Sequence, residues 1–326
     1  MSEQDIGGVS GRSSRKIKMT NRLSFTMKLL LIVSLLSSAG MADSWAPKGG
    51  LKQVPIWPAG SPILAGGIQK YDKPTKYVTN VSIPTYTVYQ PKKNPSGTCI
   101  VVFPGGGHVV LAMGIEGTEV AEWLTQAGIT CVLLKYRVPY AGCYWDEKLK
   151  KNVTPKVPMA LQDAQRTLSI VRANARELNI NPNKIGVMGF SAGGNVAVLS
   201  STLLEKRSYK PMDAIDEVDW RPNFAIPVYP GHLTMNHKNV DSRALNSDIV
   251  ISKNTPPTLL VHAKDDPVNP VWYSETYYKA LKKAGLQVKY KIYETGGHAF
   301  GVRKQGKASD RWTKDALSWL IQIKML

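Results

Sequence analysis

Cysteine is scarce in this chain, which excludes several classes of protein. Only three cysteines occur among 326 residues, so a disulfide-rich scaffold is excluded, and their spacing fits no metal cluster. Cys99 and Cys131 lie in apolar runs and are expected to be buried thiols, whereas Cys143 lies in a polar loop. We predict no metal ion and no cofactor, and the sequence leaves open whether any two of the cysteines pair.

The chain also lacks an apolar run of the length that crosses a bilayer. The run at residues 29–36 is about half of the roughly 20 residues that a membrane-spanning helix needs. It follows a basic lead-in and precedes small residues, which is the pattern of a secretory signal. We therefore expect residues 1–42 to be a signal peptide, cut after Ala42, with Met1 or Met27 as the start. The protein would then be periplasmic or extracellular, and a membrane anchor is the alternative interpretation.

The net charge is strongly positive, but its distribution does not indicate a nucleic-acid partner. The formal charge is +18, and residues 1–42 hold six Lys/Arg and two Asp/Glu, which leaves +14 on the remainder. Such a surface can attract nucleic acid, anionic polysaccharide or lipid headgroups. The sequence has no dense basic stripe with interleaved aromatics, so we expect a dispersed, solubilising charge. We predict no nucleic-acid partner and no stable insertion into a membrane; the oligomeric state stays open.

Buried strands alternate with amphipathic helices from residue 85 onward. After an irregular lead-in at 43–84, the hydrophobic pattern predicts strands at 85–89, 98–103, 129–135, 185–189, 224–228, 258–262 and 288–293. It predicts helices at 116–127, 158–178, 193–204, 271–284 and 312–323. This alternation indicates one α/β domain at 85–326, with a mainly parallel twisted sheet and helices on both faces.

A serine lies in a glycine-flanked turn between a predicted strand and a predicted helix. Residues 189–193 read Gly-Phe-Ser-Ala-Gly, and this G-x-S-x-G pattern in that context is typical of a nucleophile elbow. The residues two positions from the serine must be small, or their side chains would collide. Ser191 is therefore the predicted nucleophile, and it sits where helix N-terminal amides favour a developing negative charge.

A glycine run follows an earlier strand, where it can supply hydrogen-bond donors to an oxyanion. The strand at 98–103 leads into Pro-Gly-Gly-Gly-His at residues 104–108. Glycines let the backbone approach a ligand closely and turn its amides inward. We predict that the oxyanion hole consists of the amides of Gly106, Gly107 and Ala192. His108 follows the run and is expected to line the substrate pocket.

A general base and an acid can be chosen from the late loops. His298 lies between glycines just past the last strand, whereas His262 lies inside a strand and is expected to be a core residue. His232 and His237 lie in a long loop and could contact substrate. Asp265 and Asp266 both follow the strand at 258–262. We prefer Asp266 as the acid, with Asp265 capping the turn, because an Asp-Pro-Val-x-Pro turn after a strand commonly aims its carboxylate at the histidine. The order Ser191, Asp266, His298 is that of α/β-hydrolases.

Together these motifs resemble those of bacterial esterases of the α/β-hydrolase superfamily, near the acetyl-xylan and feruloyl esterase-like enzymes. The likeness covers residues 85–323 and includes the stretches at 103–107, 160–166, 186–194, 265–270 and 296–301. The family often has an aromatic residue where this chain has His108, and a histidine where it has Asn195. It more often has glycine where Ala299 stands. His108 and Asn195 are expected to bind substrate, and these departures leave the fine substrate preference open.

The resemblance implies a serine esterase that hydrolyses short acyl esters, such as acetyl groups on xylan, through an acyl-enzyme. The substrate would be a small-molecule or oligosaccharide ester, and Trp145, Trp272 and Tyr273 are candidates for stacking on sugar rings. A dipeptidyl-peptidase-like serine peptidase is one alternative, although the propeller domain of such enzymes is not expected here. A non-catalytic binding protein on this fold is another, against which the complete Ser, Asp, His set argues.

Overall fold

The computed structural model describes residues 45–64, 77–138, 157–234 and 243–326, with short strands at 73–74, 145–146 and 151–152. The predicted signal peptide, Cys143 and His237 lie outside the described residues. The main sheet has eight strands, which are β1 (Val54–Pro55), β2 (Thr85–Tyr89), β3 (Cys99–Phe103), β4 (Thr130–Lys135), β5 (Ile185–Phe190), β6 (Phe224–Val228), β7 (Thr258–Ala263) and β8 (Val288–Tyr293). Their order across the sheet is β1-β2-β4-β3-β5-β6-β7-β8.

Strands β3 to β8 are mutually parallel, and β2 runs opposite to both of its neighbours. Every residue of β3, β4, β5, β6 and β7 is buried, as continuous apolar runs predict for strands covered on both faces. The predicted α/β-hydrolase fold, with a mainly parallel sheet, is confirmed. The sheet brings the carboxyl ends of β3, β5 and β7 to one edge, where the loops that carry the candidate site begin.

Five α-helices accompany the sheet, and their bounds lie close to the predicted ones. They are α1 (Glu119–Gln126), α2 (Pro158–Ala173), α3 (Ala192–Thr202), α4 (Trp272–Lys283) and α5 (Trp312–Gln322). A turn with π-helical hydrogen bonding, Gly114–Thr118, leads into α1. Helix α2 ends five residues earlier than predicted, at Ala173. There the Asn174 side chain donates to the Ile170 carbonyl at 2.7 Å, which competes with continuation of the helix. No helix among the described residues is long and apolar enough to cross a bilayer.

The stretch at 43–84 is more integrated into the domain than its irregular sequence suggests. Strand β1 extends the sheet by pairing with β2, and Trp57 is 4% exposed within the core. The Trp57 indole N–H donates to Asp163 Oδ1 at 2.7 Å, and Arg166 Nε donates to the Ile56 carbonyl at 3.0 Å. Both partners lie on α2, so this segment is fastened to the helix that covers the sheet.

Candidate active site

Ser191 occupies the tight turn between β5 and α3. Its backbone has φ 51° and ψ −116°, a conformation that non-glycine residues rarely adopt and that is typical of functional sites. A Cβ on Gly189 would run into the Gly193 carbonyl, and one on Gly193 would run into the Phe103 carbonyl. The turn therefore requires glycine on both sides of the serine, as the pattern predicts.

The structure brings Ser191, His298 and Asp266 together, although 107 residues separate the serine from the histidine. His298 Nε2 is 3.0 Å from Ser191 Oγ, and His298 Nδ1 is 2.7 Å from Asp266 Oδ2. The Asp266 side chain is fully buried, whereas that of His298 is 14% exposed. A carboxylate on Nδ1 makes this nitrogen the donor, so the lone pair of Nε2 faces the serine hydroxyl.

The loop after β7 keeps Asp266 ionised. Its Oδ1 accepts from the backbone N–H groups of Val268 at 2.8 Å and Asn269 at 2.9 Å. Burial raises the pKa of the Asp266 carboxyl, but hydrogen bonds from His262 and His298 outweigh this and lower the pKa to about 2. The group is therefore a carboxylate throughout the neutral range.

Asp265 binds the backbone of the loop that carries His298. Its Oδ1 accepts from the backbone N–H of Gly296 at 2.8 Å and of Gly297 at 2.7 Å. It thus fastens the loop that carries His298 without touching the imidazole itself. The sequence favoured Asp266 over Asp265 as the acid, and the structure places Asp266 against His298.

The glycine run after β3 lies directly against the nucleophile. A Cβ on Gly105 would be 2.9 Å from the Ser191 Cβ, so the loop passes as close as a backbone can. Gly106 and Gly107 have φ values of 130° and 65°, which only glycine adopts without strain. The Gly105 N–H donates to Glu116 Oε2 at 2.8 Å. That Gly106 and Gly107 donate to an oxyanion stays a prediction. Ala192 begins α3 and is buried beside Ser191.

The match to a protein-family model identifies the family of this chain. The model of the prolyl oligopeptidase family, Peptidase_S9, matches residues 118–324, which include Ser191, Asp266 and His298. The chain belongs to the prolyl oligopeptidase family. Its glycine run at 105–107 precedes the matched region.

Among its relatives, this prolyl oligopeptidase family member is 31% identical to an acetylxylan esterase of Xylanibacter ruminicola over 71% of the chain and 47% of that protein. It is 26% identical to endo-1,4-beta-xylanase B of Butyrivibrio fibrisolvens over 68% of the chain and 35% of that protein. The chain thus spans about half or less of these relatives. A solved structure, the acetyl ester-xyloside bifunctional hydrolase of Caldicellulosiruptor lactoaceticus, shares 31% identity and a TM-score of 0.66 over 86% of the chain and 98% of its own.

Three polar side chains are buried beside the nucleophile turn of this family member. His108 and Asn195 are each 1% exposed and His232 is 2% exposed; the His108 and His232 ring centroids are 5.4 Å apart. No ring nitrogen of His108 and no amide atom of Asn195 has a hydrogen bond of regular geometry within the described residues. Burial lowers the pKa of His108 to about 4, although the nearby Asn195 amide offsets part of this effect. Their role in binding substrate stays a prediction.

The aromatic residues predicted to stack on sugar contribute less than expected in this member of the prolyl oligopeptidase family. Tyr273 is fully buried and packs against Trp272 with ring centroids 4.6 Å apart, so the prediction for Tyr273 is wrong. It lies on the inner side of α4, which the helical period did not separate from the exposed side. Trp272 is half-buried, and the side chain of Trp145 lies outside the described residues.

Three residues near the site were not predicted from the sequence. His262, expected to be a core histidine, is buried as expected but also brings its Nε2 to 3.3 Å from Asp266 Oδ2. Glu116 and Tyr229 are buried and joined by a hydrogen bond of 2.9 Å next to the glycine run. Acidic residues are common near the start of a helix, where they interact with its N-terminal amides. The sequence therefore did not indicate that Glu116 is buried.

Proposed function

We propose that this protein is a serine esterase that removes short acyl groups, above all acetyl, from carbohydrate such as xylan. The observation that carries the proposal is the continuous path from Ser191 Oγ through His298 to the Asp266 carboxylate. The acyl group and the sugar are inferred from the acetylxylan esterase and the acetyl ester-xyloside hydrolase to which the chain is similar.

The geometry supports a two-step reaction. His298 Nε2 takes the proton of Ser191 as its Oγ attacks the ester carbonyl, and the carbonyl oxygen becomes an oxyanion. The amides of Ala192, Gly106 and Gly107 are the proposed donors to that oxyanion, and each such donor contributes about 3–4 kcal/mol. His298 then gives its proton to the departing sugar oxygen. A water molecule, activated by the same imidazole, releases the acid and restores the serine.

Hydrolysis of acetylated xylan by the purified protein tests the proposal. We expect release of acetate from this polymer, faster turnover of p-nitrophenyl acetate than of longer acyl esters, and labelling of Ser191 by a fluorophosphonate. Ser191→Ala serves as the matched control and should abolish all three signals while keeping the thermal melting temperature. No labelling and no ester hydrolysis by the wild-type protein would contradict the proposal and leave a non-catalytic binding protein.

Peptide hydrolysis is the second candidate because the matching family model is that of the prolyl oligopeptidase family. An amide has a poorer leaving group than an ester, but the same serine, histidine and oxyanion donors act on it. Dipeptide p-nitroanilides distinguish the two functions. Cleavage of these amides without release of acetate from xylan would assign the protein as a peptidase.

We also propose that the protein is exported, with residues 1–42 as a cleaved signal. The supporting features are the basic lead-in, the apolar run at 29–36 and the small residues before Asp43. Cell fractionation with N-terminal sequencing tests this proposal. A soluble periplasmic or extracellular protein that begins at Asp43 is expected, and an uncut chain in the membrane fraction would favour an anchor.

A further inference from the structure

A buried carboxyl group, separate from Asp266, lies next to the glycine run. Glu116 is 2% exposed and belongs to the π-helical turn Gly114–Thr118. Within the described part of the chain, it forms no salt bridge with a basic residue. A carboxyl group buried without a cation costs several kcal/mol unless hydrogen bonds compensate, and π-helical turns frequently occur at functional sites. The contacts of Glu116 therefore need an explanation beyond packing.

The two oxygens of Glu116 accept hydrogen bonds from two sides of the site. Oε2 accepts from the Gly105 N–H at 2.8 Å, and Oε1 accepts from the Tyr229 hydroxyl at 2.9 Å. The Tyr229 hydroxyl itself accepts from the Gly301 N–H at 3.1 Å, so its single proton is directed to Glu116. Both oxygens thus accept a hydrogen bond. Burial raises the pKa of the Glu116 carboxyl, and the hydrogen bonds from Tyr229 and Gly105 oppose this rise.

Each partner of this network belongs to a segment that carries part of the reaction. Gly105 immediately precedes the proposed donors Gly106 and Gly107 and lies against Ser191. Gly301 lies three residues after His298 in the same loop. A Cβ on Gly301 would be 2.7 Å from the carbonyl of Ile115, so the turn that holds Glu116 also touches this loop. Glu116 therefore joins the oxyanion loop to the histidine loop.

Tyr229 brings the network to the imidazole. Its ring meets that of His298 edge to face, with centroids 5.0 Å apart, and meets Phe300 at 4.5 Å. Its backbone φ of 36° is unusual for an aromatic residue, and its N–H is held by the Val261 carbonyl at 2.7 Å. The ring is thus fixed by the ends of β6 and β7, and Glu116 fixes its hydroxyl.

We propose that Glu116 is a positioning residue of the esterase: it holds the oxyanion loop through Gly105 and the His298 loop through Tyr229. This inference rests on the proposed function. It adds a second carboxyl group to the site, one that touches neither the substrate nor the serine.

Glu116→Gln tests the proposal because it keeps the shape of the side chain and removes one of its two acceptor oxygens. The single amide oxygen of glutamine can accept from the Gly105 N–H or from the Tyr229 hydroxyl, but not from both in the native geometry. We expect kcat for p-nitrophenyl acetate to fall by roughly tenfold to hundredfold, less than the loss of an oxyanion donor itself, with KM within about twofold.

Two further variants separate positioning from folding. Tyr229→Phe removes the hydroxyl but keeps the ring, and the double variant should lose little more than the more severe single one, since both break one network. Glu122→Gln, on the exposed side of α1, makes the same chemical change and should leave kcat unchanged. Tyr229→Phe also provides the test should Glu116→Gln fail to fold.

The active fraction of each variant is counted by fluorophosphonate titration of Ser191. A kcat per titrated site equal to that of the wild type in both variants would overturn the inference. If the wild-type protein is neither labelled nor active on any ester, the proposed function fails instead. The two failures are therefore distinguishable.

Discussion

His108 should make this protein less stable in mildly acidic solution. Its ring is 1% exposed, and burial disfavours the charged form, so its pKa falls from the usual 6.5 to about 4. The unfolded chain then binds the proton more readily than the folded one between these two values. Stability is therefore highest above pH 6.5, decreases as the pH falls toward 4, and changes little further from this group below that.

The size of the effect follows from the difference between the two pKa values. The difference between a pKa of 6.5 and one of about 4 corresponds to about 3 kcal/mol of unfolding free energy. Roughly 2 kcal/mol of it is lost between about pH 7 and pH 4.5. Asp266 contributes little in this window. Its pKa of about 2 lies below the unfolded value, so its stabilisation is present above about pH 4 and is lost only as the pH falls through 2.

Urea denaturation at about pH 7 and pH 4.5 measures the prediction. Two variants remove the titrating group. His108→Phe introduces the aromatic residue that is common at this position in the esterase family that the sequence resembles. His108→Asn introduces a residue that tolerates the positive φ of 61°. Each should lose about 2 kcal/mol less than the wild type over this interval. Equal decreases of the unfolding free energy in all three proteins would refute the reasoning. The variant His232→Phe tests whether the neighbouring ring contributes to this pH dependence.

Three further substitutions follow from contacts of the site. Asp266→Asn should lower kcat roughly ten-thousand-fold, because the imidazole takes the wrong tautomer. Asp265→Asn keeps an acceptor for the loop and should lower kcat about tenfold or less. A larger decrease of kcat in the Asp265 variant would reverse the assignment. Gly105→Ala places a Cβ 2.5 Å from Glu116 Oε2 and 2.6 Å from the Phe190 carbonyl, so both kcat and melting temperature should fall. Ala299→Gly relieves a φ of 54° and should raise the free energy of unfolding by up to about 1 kcal/mol in urea titration; a decrease would contradict the strain.

The sequence was most informative where local patterns determine structure. The continuous apolar runs predicted the buried strands within a residue or two, and the two glycines around Ser191 predicted the turn because no other residue fits there. Order along the chain was enough to select His298. The turn sequence favoured Asp266 over Asp265, but only the distances in the fold show which of these two adjacent carboxylates reaches His298.

Long-range contacts account for what the sequence did not predict. Glu116 and Tyr229 lie 113 residues apart, and neither belongs to a motif, so nothing local shows that they meet. The pairing of β1 with β2 was missed for a similar reason, because a two-residue strand has no measurable periodicity. The burial of Tyr273 was not predicted, because the composition of α4 does not show which of its faces packs against the domain.

The attachment of Trp57 to α2 affects any fragment that is cut from this chain. Beginning at residue 85, a fragment would still contain every residue of the proposed triad and oxyanion hole. It would lack the indole that donates to Asp163 and the Ile56 carbonyl that accepts from Arg166. Two charged side chains that are 0% and 4% exposed would each lose a partner, at a cost of about 1–3 kcal/mol each. For this reason, we expect a fragment of this protein to be more stable when it retains residues 54–57.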